Sequence, residues 1–178
     1  MIRGSIIFAL VTIDLCVLRS ESTAQWVQTG GPLGGPVDCI TASPNGTDIF
    51  AGTEGGVFRS TDGGTTWRAS SKGLPGDWVM ALTVAGPDLF AGTYLNGVFR
   101  STDNGATWAQ ACEGMLTPQD HLGVNSFARF GDNLFAGTWG EGVFVSSNNG
   151  TNWAPVSSGL TDKTVWTLAV CEIGRAHV

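Results

Sequence analysis

Short apolar runs alternate with polar turn residues along most of the chain. Each run is four to seven residues long, is rich in β-branched and aromatic residues, and is bounded by Gly, Asn or Asp. This pattern predicts β-strands joined by tight hairpins. Three hairpins are predicted over residues 49–60, 89–101 and 134–146, and a further apolar run precedes each of them, over residues 37–42, 79–84 and 124–130.

A polar block follows each predicted hairpin, and the blocks recur at intervals of 41 and 45 residues. A fixed period of this size indicates one supersecondary unit copied in tandem. Another short strand is predicted to begin at the tryptophan of each block, which gives four antiparallel strands per unit and predicts the blades of a β-propeller. The block residues are Ser60, Asp62, Gly64, Thr66 and Trp67, then Ser101, Asp103, Gly105, Thr107 and Trp108, then Ser146, Asn148, Gly150 and Trp153.

The chemistry of the block favours a tight turn. Asp62 and Asp103 can accept hydrogen bonds from nearby backbone N–H groups, while Gly64 and Gly105 permit positive φ. The tryptophan that follows is predicted to pack as a large apolar side chain on its own blade.

The pattern Ser-x-Asp-x-Gly-x-Thr-Trp resembles the Asp-box, or bacterial neuraminidase repeat. This repeat occurs in sialidases, sortilin-type receptors, xyloglucan-cleaving glycoside hydrolases and the photosystem II assembly factor propeller, and the chain is most similar to long secreted bacterial arrays. The resemblance covers residues 26–171 and implies an all-β propeller fragment, in which the box is a structural turn on the outer side of each blade. The third block carries Asn148 and Asn152 in place of Asp and Thr, so its turn is expected to be less well tied.

The predicted organisation has three parts. Residues 1–24 are predicted to be a signal peptide, because Arg3 precedes an apolar stretch and small residues precede Gln25. Residues 25–171 are predicted to form three complete blades and partial ends of an incomplete ring, since closed propellers have about four to eight blades. The partial ends are the last strand of a unit at 26–28 and the first strand of a fourth unit over 164–171. Residues 172–178 break the repeat and resemble a translated sequencing adapter, so they are interpreted as a non-native tail.

Composition narrows the function classes. A formal net charge of −6 without a basic cluster argues against nucleic acid as a partner. Export to the cell surface, the periplasm or the medium is predicted, with no membrane insertion after signal cleavage, and no cofactor or metal motif is found. Cys39, Cys112 and Cys171 are open to two interpretations, buried small side chains or disulfide partners.

Residues that vary between the repeats are the candidates for function, because such loops share one face of a propeller. Tyr94 and Trp139 occupy equivalent turns, with Trp78 and Trp166 near the starts of first strands. These rings could form a platform for sugar rings, or they could simply pack between blades, and both interpretations stay open. The possible ligand-binding residues are Tyr94, Trp139, Asp77, Asp120, His121 and Glu141.

No catalytic residue is assigned from the sequence. The resemblance to sialidases implies three converging arginines and a tyrosine–glutamate pair, but the family's Arg-Ile-Pro motif is absent and Tyr94 has no matching glutamate nearby. Arg59 and Arg100 occupy the same position in two successive units, so they are interpreted as part of the repeat and not of a catalytic site. The interpretation is a binding or scaffold module that presents loops to a protein or a glycan. The alternative is a fragment of a glycoside hydrolase with its catalytic residues mostly in missing blades, for which Asp77 and Asp120 are the best-placed carboxylates.

Overall fold

The computed structural model describes residues 30–115 and 121–170. The predicted signal peptide, the strand predicted at Trp26, Asp120, Cys171 and the predicted tail all lie outside these residues. Within them the chain forms twelve β-strands and no helix. The strands are β1 (Val37–Ala42), β2 (Ile49–Thr53), β3 (Gly56–Ser60), β4 (Arg68–Ala69), β5 (Val79–Ala85), β6 (Asp88–Thr93), β7 (Val98–Ser101), β8 (Ala109–Gln110), β9 (Val124–Phe130), β10 (Asn133–Thr138), β11 (Val143–Ser146) and β12 (Ala154–Pro155).

The strands form three separate four-stranded antiparallel sheets, each built from consecutive strands in chain order. We call β1–β4 blade 1, β5–β8 blade 2 and β9–β12 blade 3. The first strands of the blades lie next to one another at the centre, where β1 contacts β5 and β5 contacts β9. The prediction of a propeller fragment with three complete four-stranded blades is therefore confirmed.

The structure differs from the prediction in the segment that was expected to be the first strand of a fourth unit. Residues 164–170 have no strand assignment, and no second strand pairs with them among the described residues. Their place is nevertheless that of a first strand, because the N–H of Val165 donates to the carbonyl of Thr138 at 2.8 Å. A Cβ at Gly137 would contact Val165, as one at Gly92 would contact Val124 at the preceding junction.

The hydrophobic core lies between blades. Phe50 and Val57 of blade 1 pack with Val79 and Leu89 of blade 2 in one buried cluster. A second cluster joins blade 2 to blade 3 and includes Phe90, Val98, Val124, Leu134 and Trp153. Each blade is therefore stabilised chiefly by burying apolar side chains against its neighbours.

The three polar blocks form the same turn. In the first block the Ser60 hydroxyl accepts from the Gly64 N–H at 2.8 Å and donates to Asp62, whose carboxylate accepts from the N–H and the hydroxyl of Thr66 at 2.8 and 2.6 Å. The second block repeats these bonds around Asp103. Bonds from Thr66 and Thr107 to the ionised carboxylates lower the pKa of Asp62 and of Asp103 to about 2.

The third block keeps these bonds with different chemistry. Asn148 accepts from the N–H of Asn152 at 2.9 Å and donates its own amide to the Asn152 side chain at 3.1 Å. Ser146 donates to Asn148 at 2.9 Å and accepts from the Gly150 N–H at the same distance. An amide pair thus replaces the carboxylate–hydroxyl pair in a turn of the same geometry.

The tryptophans of the second and third blocks share a buried cluster with side chains of their own blade, and each also forms a hydrogen bond to the preceding blade, which was not predicted. The indole N–H of Trp108 donates to the carbonyl of Ser70 in blade 1 at 2.7 Å, and that of Trp153 donates to Ala111 in blade 2 at 2.8 Å. Both side chains are buried. These two tryptophans therefore join their blades to the preceding ones.

A second polar contact crosses each junction. Asp48 at the end of the β1–β2 turn is 6% exposed and accepts from Arg59 of its own blade at 3.0 Å and from the Asn104 amide of blade 2 at 2.8 Å. Burial opposes the ionisation of Asp48, but these bonds outweigh it and lower its pKa. Asp88 of blade 2 accepts from Arg100 and Asn149 in the same way. Each such set of Asp, Arg and Asn is called a junction node below.

Of the cysteines within the described residues, Cys39 and Cys112 are free thiols, and Cys112 is buried. Burial raises the pKa of Cys39 to about 12. Both side chains therefore behave here as small apolar groups.

Candidate functional site

A row of four aromatic rings crosses the loop face of the blades. Neighbouring ring centres lie 5.7 Å apart from Trp78 to Tyr94, 5.6 Å from Tyr94 to Trp139, and 5.6 Å from Trp139 to Trp166. We call Trp78, Tyr94, Trp139 and Trp166 the aromatic row. It runs from the start of blade 2 across blade 3 to the segment beyond it.

The repeat explains how the row is positioned. Tyr94 and Trp139 each follow the last residue of a second strand, so successive blades place them at the same height. Backbone bonds fix both turns, since Tyr94 N–H donates to Trp78 and Trp139 N–H donates to Gly123, each at 2.9 Å. Trp78 immediately precedes β5, and Trp166 follows Val165, whose N–H is held by blade 3.

The rings are tilted with respect to one another and differ in exposure. The interplanar angles are 38°, 62° and 47° along the row, and tilted or edge contacts at this distance are favourable between aromatic rings. Trp139 is 47% exposed and Trp166 is 64% exposed, while Trp78 and Tyr94 are half-buried. The row therefore packs against itself at one end and offers open ring surface to solvent at the other.

Sequence reasoning missed the residue that holds the buried end. Asp38 on β1 accepts the indole N–H of Trp78 through Oδ2 at 2.5 Å, a contact between blade 1 and blade 2. The bond orients the Trp78 ring and satisfies its only polar atom. Only the stacking of two blades brings these residues together, because they lie 40 positions apart in the chain.

Asp77 has a structural task. Its carboxylate accepts from the N–H of Trp78 at 2.8 Å, from the N–H of Leu95 at 2.9 Å and from the Asn96 amide at 2.8 Å. These three bonds tie the start of β5 to the turn that carries Tyr94. Asp77 therefore positions two rings of the aromatic row, and its oxygen atoms are largely occupied.

The other predicted site residues lie around the row. Glu141 is half-buried in the turn that follows Trp139, and His121 is exposed next to Leu122, whose N–H donates to the carbonyl of Leu95 at 3.0 Å. Asp120 lies outside the described residues. No group of His, Cys, Asp and Glu side chains in the described part of the chain is arranged to hold a metal ion.

The comparisons with known proteins concern the repeat and the fold. The model of the family described as BNR/Asp-box repeat matches residues 58–69. No curated protein matches the chain. Across the described ranges, no helix has the length and apolar character needed to cross a membrane.

Solved structures of propeller proteins are similar to the chain. An ancestral GH74 enzyme is 24% identical with a TM-score of 0.57, covering 75% of this chain and 20% of its own. YCF48 from Cyanidioschyzon merolae is 24% identical with a TM-score of 0.57, and the match covers 73% of this chain and 39% of YCF48. The extracellular domain of a one-component system from B. thetaiotaomicron is 19% identical with a TM-score of 0.60, and the match covers 79% of this chain and 19% of that domain.

The chain therefore carries the Asp-box repeat and has the fold of a β-propeller fragment. It spans about a fifth to two fifths of the length of these three structures. At this level of identity the likeness concerns the fold alone.

Proposed function

We propose that the chain is an exported binding module whose loop face takes a glycan along the aromatic row. The observation that carries this proposal is the open ring surface of Trp139 and Trp166 within a continuous row of four rings. Large aromatic side chains are normally buried, and a cluster that stays exposed marks a binding surface. The flat apolar faces of sugar rings suit such a surface.

The polar groups next to the row support the same ligand class. Glu141 lies two residues after Trp139 and can accept hydrogen bonds from sugar hydroxyls, and His121 lies on an adjoining loop. Ligand sites combine apolar and aromatic walls with a few polar groups that set orientation. A protein ligand is the competing occupant, and the test below separates the two.

Glycoside hydrolysis is the alternative function, favoured by the fold likeness to a GH74 enzyme. It needs two carboxyl groups about 5–10 Å apart on either side of the scissile bond. Asp77 is a weak candidate for this role because three hydrogen bonds engage its carboxylate in the loop structure. Binding without hydrolysis is therefore the function that the described residues support best.

Location and organisation are part of the proposal. We infer that residues 1–24 direct export, that residues 25–171 form the binding module and that residues 172–178 do not contribute to it. The relevant support is that one structurally similar propeller is an extracellular domain.

The test is glycan binding by the purified chain and by three variants. Isothermal titration with a panel of neutral β-linked oligosaccharides should identify a ligand, and Trp139→Ala or Trp166→Ala should weaken its binding roughly tenfold, which corresponds to about 1.4 kcal/mol. Phe130→Ala is the matched control, because Phe130 is a 59% exposed aromatic residue outside the row.

Three outcomes would contradict the proposal. Equal binding by all three variants would show that the aromatic row does not contact the ligand. Binding only to peptide arrays would assign the face to a protein partner, and release of new reducing ends by the wild-type chain would favour the hydrolase.

A further inference from the structure

A basic groove lies on the outer rim between blade 1 and blade 2, away from the aromatic row. The cavity has a volume of about 620 Å³ and lies between β4 and the polar block of blade 2. Its lining includes three cationic side chains, Arg59, Arg68 and Lys72. The carbonyl of Lys72 accepts the backbone N–H of Trp108 at 2.9 Å, which fixes this wall of the groove at the blade junction.

Two of these cations face each other across a strand pair. Arg59 on β3 is directly opposite Arg68 on β4, so both side chains emerge on the same face of blade 1. Like charges in directly opposed positions destabilise a sheet. Asp48 compensates Arg59, whose guanidinium also lies 5.8 Å above the ring of Phe50.

Arg68 and Lys72 have no such compensation. Both are exposed, and the salt bridges among the described residues involve only Arg59 with Asp48 and Arg100 with Asp88. The one carboxylate in the lining is Asp62, whose oxygen atoms accept from Ser60 and from Thr66 inside its own turn. The groove therefore carries an excess of positive charge in a chain with a formal net charge of −6.

The next junction supplies an internal comparison. An equivalent cavity of about 430 Å³ lies between blade 2 and blade 3. There Ala109 takes the position of Arg68, opposite Arg100, and Glu113 takes the position of Lys72. The fold thus needs neither basic residue at this site, because the same junction forms without them.

We propose that the groove between blade 1 and blade 2 binds a tetrahedral oxyanion, a sulfate or phosphate group carried on a sugar-sized molecule. Arginine presents a planar fork of donors that matches two oxygen atoms of such a group, while lysine adds a point charge. The exposed Thr61 also lines the groove and has a hydroxyl to donate. The cavity volume lies in the range of small-molecule sites.

Inorganic sulfate and inorganic phosphate are the first probes. Each is titrated into the full chain at constant ionic strength, made up with sodium chloride, and the melting temperature is measured. A ligand that binds the folded state raises the melting temperature with a saturable dependence on its concentration. Arg68→Ala and Lys72→Glu, which introduce the residues of the second groove, should each weaken the apparent affinity at least tenfold.

Two controls test the location. Arg129→Ala removes an exposed arginine of blade 3 and should leave the titration unchanged. The reciprocal double variant, Ala109→Arg with Glu113→Lys, should create a second site in the cavity of about 430 Å³, seen as a second set of shifted amide resonances. This gain of binding does not depend on the stability of the loss variants.

A comparison of a sulfated disaccharide with a phosphorylated monosaccharide decides whether the groove takes a sulfate or a phosphate group. Tighter binding of either one than of its inorganic ion supports the groove and identifies the source. The proposal is overturned if chloride raises the melting temperature as much as sulfate and phosphate do, or if Arg68→Ala and Lys72→Glu bind like the wild type.

Discussion

Blades 1 and 2 differ from blade 3 in the residues that face the next blade. In the first two blades a buried aspartate at the start of the second strand pairs with an arginine of the third strand, as Asp48 does with Arg59 and Asp88 with Arg100. Blade 3 has Asn133 and Val145 at these positions. Its Phe135 is half-buried, whereas the equivalent Phe50 and Phe90 are fully buried beneath the block of the following blade.

This difference separates two classes of repeated residue. The block turn is kept in all three blades, even where Asn148 replaces aspartate, because its hydrogen bonds are local. The junction node appears only where the described chain supplies a following blade that donates Asn104 or Asn149. Both asparagines are held at positive φ, 55° and 54°, which is unusual for a residue other than glycine. The block turn thus forms within a single blade, whereas the junction node forms only between two blades.

The largest effect is expected from a single methyl group at a junction. Gly105 has a φ of 80°, and a Cβ there would overlap the ring of Phe50 in blade 1. Gly105→Ala should lower the free energy of unfolding by about 3 kcal/mol, since it adds left-handed strain to overpacking. Gly64→Ala is the matched control, because its Cβ would find only Trp67 at 3.8 Å and should cost about 1 kcal/mol. Urea denaturation measures both, and equal losses would contradict a junction-specific role.

A smaller effect is expected from converting the node of blade 2 into the residues of blade 3. Asp88→Asn should cost roughly 2 kcal/mol, because it leaves the charge of Arg100 without its partner. The arginine side chain is 29% exposed, so water compensates part of this loss. Adding Arg100→Val should recover about half of it, because the unpaired charge is then removed. A double-mutant cycle in urea measures this coupling, and strictly additive losses would show that the two residues act independently.

Much of the fold could be predicted from the sequence because the repeat encodes it locally. Nine of the twelve strands correspond to apolar runs bounded by turn residues, and the two-residue strands β4, β8 and β12 directly follow the block tryptophans. The block turn is closed by hydrogen bonds between residues at most four positions apart, as the bonds of Asp62 with Ser60 and Thr66 illustrate. The destination of Trp108 could not be predicted in the same way. Its partner carbonyl belongs to Ser70, 38 residues earlier, and only the packing of two blades brings them together.

The candidate site was predictable to a lesser extent. The repeat placed Tyr94 and Trp139 at equivalent turns, so their proximity was a reasonable expectation. Trp78 and Trp166 do not repeat, and their place in the row depends on the rotation between successive blades. The carboxylate of Asp77 could bind a ligand or a backbone amide, and sequence offers no means of choosing between them. The excess charge of the outer groove was missed because Arg68 and Lys72 do not recur in the other units, and only the pairing of β3 with β4 places Arg68 opposite Arg59.

The smallest effect concerns the blocks themselves and distinguishes the third from the first two by pH. The folded-state pKa of Asp62 and Asp103 is about 2, below the value of about 3.9 for an unfolded aspartate. A depressed pKa contributes stability above pH 3.9 that is lost as the pH falls through 2. The amide resonances of Thr66 and Thr107 should therefore shift with a midpoint near pH 2, whereas that of Asn152 should not, because its acceptor is the amide of Asn148.

The double variant Asn148→Asp with Asn152→Thr should introduce a third midpoint near pH 2 if the turn geometry alone sets the pKa. Midpoints near pH 4 in the wild type would instead mean that the threonine bonds do not persist in solution.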